Sequence, residues 1–310
     1  MSRNMVDPLL NIDVELPKDN PEKVKITQLI TDLFCEGGII MGRMKIMAMW
    51  ALFICSQNQQ ASEEFAENVG YLLLGPTKRN DNKFLDFIKS VKDIEREVKH
   101  DIKTLEYVIC NWLEQNDMSM YKPFVHMGCT SEDVSDTYYK IACNFITEVF
   151  TTSAGGKFPK LDVKWGGSIG SHHSLSVAYP RVDWDEACNV FAEMMGCRRA
   201  PITTQVNPND DFVHWCQVWR SYALAYDGME VAYWDEFIDK MSKSRYQRDL
   251  STSTLMRNVG IALAKTIANL PHNDIVYKLP PHKNFDNIPP AMLHIYGHET
   301  YKEWEGGMKD

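Results

Sequence analysis

The chain has 310 residues, 44% of them hydrophobic and 24% charged, and its 42 acidic and 33 basic side chains give a formal charge of -9. That length and apolar content suffice for a substantial buried core in one large or two ordinary domains. The acidic balance, with no long Lys/Arg run to offset it, excludes nonspecific binding to nucleic acid or to anionic membranes as an organising function.

Residues 1–20 are polar and contain proline, which predicts a flexible amino-terminal arm. Helical patterning then begins. Val24 to Gln57 carries apolar residues at helical spacing, including Ile26, Ile30, Phe34, Ile40, Met44, Met47 and Leu52, with a break expected at Gly37-Gly38. Its most apolar stretch, Ile46 to Cys55, is too short to span a bilayer and follows Arg43 and Lys45, so it reads as a buried helix. No secretory signal precedes it. Further helical stretches are expected over Ser62 to Leu74 and Lys83 to Trp112, separated by Gly75-Pro76. In the second, Lys89, Lys92, Glu95, Lys99 and Lys103 form a charged face, with His100 and Asp101 at its midpoint.

Thr130-Ser131-Glu132-Asp133 has the form of a capping box ahead of the apolar series Val134, Tyr138, Ile141, Ala142, Phe145 and Val149. Hydroxyls and free N–H groups at a helix start also suit a carboxylate ligand, and cap and site are compatible. Gly155 to Asn209 is the least helical region, rich in glycine and proline but without the Gly-Lys-Ser/Thr ending of a phosphate-binding loop. Asp211 to Lys240 presents Trp215, Val218, Trp219, Tyr222, Ala225 and Tyr226 as an apolar stripe. Asp227-Gly228 is a turn signal within it, but the continuity of the stripe favours one long helix.

Ser244 to Asn258 reads Ser-Arg-Tyr-Gln-Arg-Asp-Leu-Ser-Thr-Ser-Thr-Leu-Met-Arg-Asn. Ser251 or Thr252 can cap the following helix, on which Ser253 and Arg257 share a face, with Arg248 just upstream. The segment is either a capped helix with solvated arginines or a phosphate or carboxylate site. Metal chemistry finds little support. His294 and His298 are interrupted by Gly297, and the adjacent His172 and His173 diverge in any regular structure, so no metal site is expected. The eight cysteines, Cys35, Cys55, Cys110, Cys129, Cys143, Cys188, Cys197 and Cys216, include no Cys-x-x-Cys pair, which fits a reduced cytoplasmic location.

The Ser244 to Asp249 run resembles the adenylosuccinate lyase branch of the fumarase/aspartase superfamily. Other segments resemble it in the same order. Glu95 to Lys103 is similar to the family's histidine-aspartate motif and Val125 to Val134 to its threonine-serine-acid motif. Lys164 to Gly170, Ala178 to Trp184 and Thr203-Thr204-Gln205 follow. The resemblance implies an all-α fold, a reduced fumarase/aspartase-type elongated helical bundle. It divides into an arm (1–20), an amino-terminal helical domain (21–124), a shortened central bundle (125–275) and a tail (276–310), where relatives continue into a third domain. It also implies β-elimination of fumarate from adenylosuccinate, no cofactor, and a homo-oligomer, by family habit a tetramer. The partner is a purine nucleotide such as adenylosuccinate or AMP, with neither nucleic acid nor membrane.

By the same resemblance Asp101, Thr130, Ser131, Gln205, Arg248, Ser253 and Arg257 are substrate-binding residues, and His100 and His126 are the histidines within family-like motifs that could transfer protons. Two family motifs have no counterpart. The threonine-histidine-glycine-glutamine motif of the general acid would fall between Phe150 and Lys164, and the flexible loop of the general base between Trp234 and Ser244. The family's arginine-tyrosine phosphate contact is also not recognisable in Val6 to Lys25. A carbon-nitrogen lyase needs two proton-transfer groups, so a nucleotide-binding pseudoenzyme and a helical scaffold stand as alternatives.

Overall fold

The computed structural model describes residues 7–57, 62–65, 82–158, 181–183, 208–226, 229, 231–243, 252–271 and 273–278. Among them every regular element is helical and no strand occurs, so the fold is all-α, consistent with a fumarase/aspartase-type architecture. The principal helices are α1 (Pro21–Phe34), α2 (Glu36–Gln57), α3 (Asn82–Val98), α4 (Asp101–Gln115), α5 (Ser131–Ser153), α6 (Pro208–Leu224), α7 (Ala232–Lys243) and α8 (Thr252–Asn269). Short 3-10 helices cover Pro8–Leu10 and Ser119–Phe124.

One compact unit holds α1, the part of α5 beyond residue 138, α6, α7 and α8. Asn20 caps α1 by accepting from the Glu22 and Lys23 N–H groups, and Pro21 occupies the first helical position, where its missing N–H costs nothing. Helix α1 lies antiparallel against α8. Lys23 near its start donates to the Leu270 carbonyl beyond the end of α8, while Phe34 at its end meets Gly260 in the middle of α8. The approach at Gly260 is close: a Cβ there would lie 2.3 Å from that of Phe34. Lys23 is buried, and Asp19 at 3.0 Å supplies its counter-charge. Ile12 is buried within residues 7–20.

The expected single helix over Asp211 to Lys240 is two. Helix α6 ends at Leu224, the chain turns through Ala225 and Tyr226, and α7 begins at Ala232, forming a helical hairpin. Asp227 and Gly228 themselves lie outside the described residues. The stripe residues Trp215, Val218, Trp219 and Tyr222 lie on α6, with Ala225 and Tyr226 in the turn after it, and none lies on α7. Trp215 and Trp219 on α6 meet Trp234 on α7 at centroid separations of 6.1 and 6.3 Å, and all three are fully buried. The expectation of one long helix fails because the helix ends at Leu224, where the apolar period alone gave no stop. Trp215 donates to Thr147 Oγ1 on α5 at 3.3 Å and Trp234 to Thr266 Oγ1 on α8 at 3.0 Å, so these two indoles are buried without leaving their N–H groups unpaired.

The other unit holds α2 beyond residue 39, α3, α4, the 3-10 helix Ser119–Phe124 and the first part of α5. The break between α1 and α2 falls at Cys35, which is extended at ψ 160°, two residues before the expected Gly37-Gly38. Helix α2 runs for 22 residues, so by length and composition alone it could cross a membrane, contrary to the expectation from its apolar centre. It is largely interior: 89% of its apolar window is buried inside the protein, as is Arg43. The expected run Lys83 to Trp112 is interrupted. Lys99 adopts a left-handed φ of 57° and α4 restarts at Asp101, so His100 lies at a helix junction rather than at a helix midpoint.

Candidate functional site

At that junction His100 is the N-cap of α4. Its Nδ1 accepts the Lys103 N–H at 3.2 Å, so a neutral ring carries its hydrogen on Nε2, and the side chain is half exposed. Asp101, the first helical residue, is held from below: Arg43 of α2, almost fully buried, donates through Nη1 to Asp101 Oδ2 at 2.8 Å, and Oδ1 accepts the Ile102 N–H. A buried guanidinium with a carboxylate partner is strongly fixed, because separating the pair would strand a charge away from water. Asp101 is therefore anchored as well as accessible.

Five residues further along α4, Glu106 reaches the segment between the 3-10 helix and α5. Five residues turn a helix through about 140° beyond a full turn, so Asp101 and Glu106 serve different sides of α4. Glu106 Oε2 lies 3.2 Å from His126 Nδ1, and Glu106 Oε1 accepts from Lys103 Nζ at 2.6 Å. Glu106 and His126 are both four-fifths buried. His126 has a φ of 67°, a left-handed conformation uncommon outside glycine, and Gly128 follows at φ 78°. Two contacts hold this segment. Trp50 of α2 donates its indole N–H to the Met127 carbonyl at 2.6 Å, and at the far end Thr130 begins α5.

Thr130 and Asp133 form the expected capping box. Thr130 Oγ1 accepts the Asp133 N–H at 3.3 Å and donates to Asp133 Oδ2 at 2.9 Å, and the same oxygen accepts the Thr130 N–H at 2.7 Å. Ser131 is the first residue of α5, half-buried, beside first-turn N–H groups that helix geometry leaves without an intrahelical acceptor. The surroundings lean acidic. Burial, with the Asp133 and Glu106 carboxylates nearby, pushes the Cys129 thiol well above its ordinary range, and burial with Glu106 raises Cys110. The structure thus brings His126, Thr130 and Ser131 onto one short segment, with His100 and Asp101 at the start of the helix against which that segment is bonded.

Of the remaining candidates, Ser253 and Arg257 belong to the other unit. Arg257 lies in the second turn of α8, half-buried, with its Nε buried and without a hydrogen-bond partner among the described residues. Ser253 lies one turn earlier on the same helix. Arg248 and Gln205, like the segments Lys164 to Gly170, Thr203-Thr204 and most of Ala178 to Trp184, lie outside the described residues. So do His172, His173, His294 and His298. Among the described residues no group of three His, Cys, Asp or Glu side chains could hold a metal ion.

Sequence reasoning missed Glu106 and Arg43. Glu106 stands beyond the end of the histidine-aspartate motif, and only its spacing of three from Lys103 marks it. Arg43, in a hydrophobic helix, carries a readable signal: an arginine buried in apolar surroundings requires a partner.

No family model matches the chain. Among curated proteins it is similar to adenylosuccinate lyases. That of Buchnera aphidicola from Acyrthosiphon pisum is 26% identical over 78% of this chain and 74% of the relative. That of Legionella pneumophila strain Corby is 20% identical over 79% and 74%, and that of Escherichia coli K12 is 21% identical over 74% and 71%. Three quarters of the chain thus align with enzymes of one name, which supports adenylosuccinate lyase as the family this sequence is similar to.

Proposed function

We propose that the chain is an adenylosuccinate lyase-like protein of purine nucleotide metabolism that binds adenylosuccinate or AMP and releases fumarate slowly or not at all. The observation that carries this reading is the similarity to curated adenylosuccinate lyases across three quarters of the chain. It coincides with a cap loop of hydroxyls and first-turn N–H groups suited to a carboxylate and with a half-buried arginine whose Nε has no partner among the described residues. In this reading Thr130, Ser131 and Gln205 bind the succinyl portion, Arg248, Ser253 and Arg257 bind the anionic remainder, and Asp101 shapes the floor beside His100.

A binding protein with little turnover is favoured by a further observation. The match to the Buchnera aphidicola enzyme extends over 338 positions, more than the 310 residues of the whole chain, while taking in 78% of it. The relative therefore carries residues within the matched span that have no counterpart here. This accords with the absence of the threonine-histidine-glycine-glutamine and serine-rich-loop motifs; the amino-terminal helical domain (21–124) and shortened central bundle (125–275) are part of the proposal. A cytoplasmic homo-oligomer belongs to the same proposal.

Fumarate release from adenylosuccinate, measured beside nucleotide-induced thermal stabilisation, tests it. Loss of one general acid or base costs about 10²- to 10⁴-fold, so the expected result is stabilisation by nucleotide with a rate at least about a hundredfold below that of an intact lyase. A rate equal to an intact lyase would contradict the weak-turnover half, and absence of stabilisation would contradict the binding half.

A further inference from the structure

A carboxylate only accepts hydrogen bonds, so the 3.2 Å contact of Glu106 Oε2 with His126 Nδ1 requires the hydrogen on Nδ1. A neutral imidazole has one N–H, which leaves Nε2 as a bare acceptor. His126 Nε2 is buried and meets no hydrogen-bond partner among the described residues. A buried polar atom without a partner works against folding, and a ligand donor would relieve it. The geometry around it is tightly held. His126 sits at a left-handed φ, the Trp50 indole fixes the adjacent Met127 carbonyl, and the Thr130–Asp133 cap fixes the segment four residues on. Glu106 is faced by Lys103 and Cys110 from its own helix and by His126 and Cys129 from the segment packed against it.

We propose that Glu106 is a positioning residue that holds His126 with Nδ1–H donated and Nε2 free, making His126 Nε2 the acceptor for a ligand proton. This rests on the adenylosuccinate reading. In that reaction the Nε2 lone pair takes the proton from the carbon beside a carboxylate, the C–H electrons become the carbon-carbon double bond, and the carbon-nitrogen bond breaks. Its electron pair leaves with the nitrogen, which takes a proton from water, while the imidazolium at His126 is stabilised by the Glu106 carboxylate. Glu106 touches no reacting atom and acts only through the ring.

Long-range proton-nitrogen NMR of the imidazoles in the full-length labelled protein, at a pH where the rings are neutral, reads the tautomer directly. His126→Asn identifies the signal among the nine histidines. In the wild type His126 should carry its proton on Nδ1, and Glu106→Ala should move it towards Nε2, the site preferred in water. Glu106→Gln retains a carbonyl acceptor and should preserve the Nδ1–H form, which guards against an alanine variant that fails to fold. Where fumarate release is measurable, Glu106→Ala should lower kcat at least about tenfold with KM within about twofold, and Glu106→Gln should recover part of it. Adenylosuccinate should shift the His126 Nε2 resonance.

An Nε2–H tautomer in the wild type, or one unchanged between the wild type and both variants, would overturn the positioning role. Thermal stabilisation by nucleotide with His126 resonances unmoved would overturn the acceptor role while leaving the functional reading intact. If nucleotide neither stabilises the protein nor yields fumarate, the functional reading and the acceptor role it supports both fail, and the tautomer result alone decides the role of Glu106.

Discussion

Capping and ligand binding can be separated residue by residue at the start of α5, because Thr130 makes the cap bonds and Ser131 makes none of them. Thr130→Ala should destabilise the protein by about 1 kcal/mol, the usual loss for an N-cap hydroxyl, measured by denaturant unfolding. Ser131→Ala should leave the melting temperature unchanged and weaken nucleotide binding; equal effects of the two on stability would remove Ser131 from the site. Lys103 gives a prediction in pH. The hydrogen bond to Glu106 holds its ammonium above the ordinary lysine value of 10.5, so the contact contributes stability below that pH and loses it as pH rises through the raised folded value. The melting temperature of the wild type should therefore exceed that of Lys103→Met below about pH 10, and the difference should close at higher pH. The cap was legible in the sequence because a capping box is a local pattern. Glu106 was not, since its partner His126 is 20 residues away and a contact between two elements leaves no periodic trace.

Close packing between helices fixes which small residues the elements require. A Cβ at Gly42 would lie 1.9 Å from Cε2 of Tyr138, and one at Gly260 would lie 2.3 Å from the Cβ of Phe34. Tyr138 is buried and cannot swing into solvent, and Phe34 is fixed on α1. Gly42→Ala and Gly260→Ala should each destabilise by about 1 to 3 kcal/mol despite the better helix propensity of alanine, as overpacked cores do. Stability equal to the wild type would mean that the helices separate freely. The elements were largely legible as helices, because apolar residues at a spacing of 3.6 recur along the chain. Their ends were less so. The Lys99-His100 junction has neither glycine nor proline to announce it, and the apolar stripe that favoured one long helix stops with α6 and the turn after it, so periodicity did not mark the start of α7.

Burial shields three of the described thiols. Cys143 and Cys216 are fully buried with their thiols pushed far up, and burial raises Cys55 to about 12. Because only the thiolate reacts readily, alkylation of the native protein followed by mass spectrometry should leave these three unmodified, with full reaction after denaturation. Modification at the native rate of an exposed thiol would contradict the buried core. Helical stretches were readable from the apolar period, whereas the all-α fold class and the likeness to one enzyme family came from the resemblance of short ordered segments. Calorimetric titration of adenylosuccinate into the wild type and Arg257→Ala tests the proposed nucleotide binding most directly. A charge-assisted hydrogen bond is worth about 1.5 to 3 kcal/mol, so the wild type should bind and Arg257→Ala should bind about 10- to 150-fold more weakly with its fold intact. Equal affinities, or no binding to the wild type, would contradict the account.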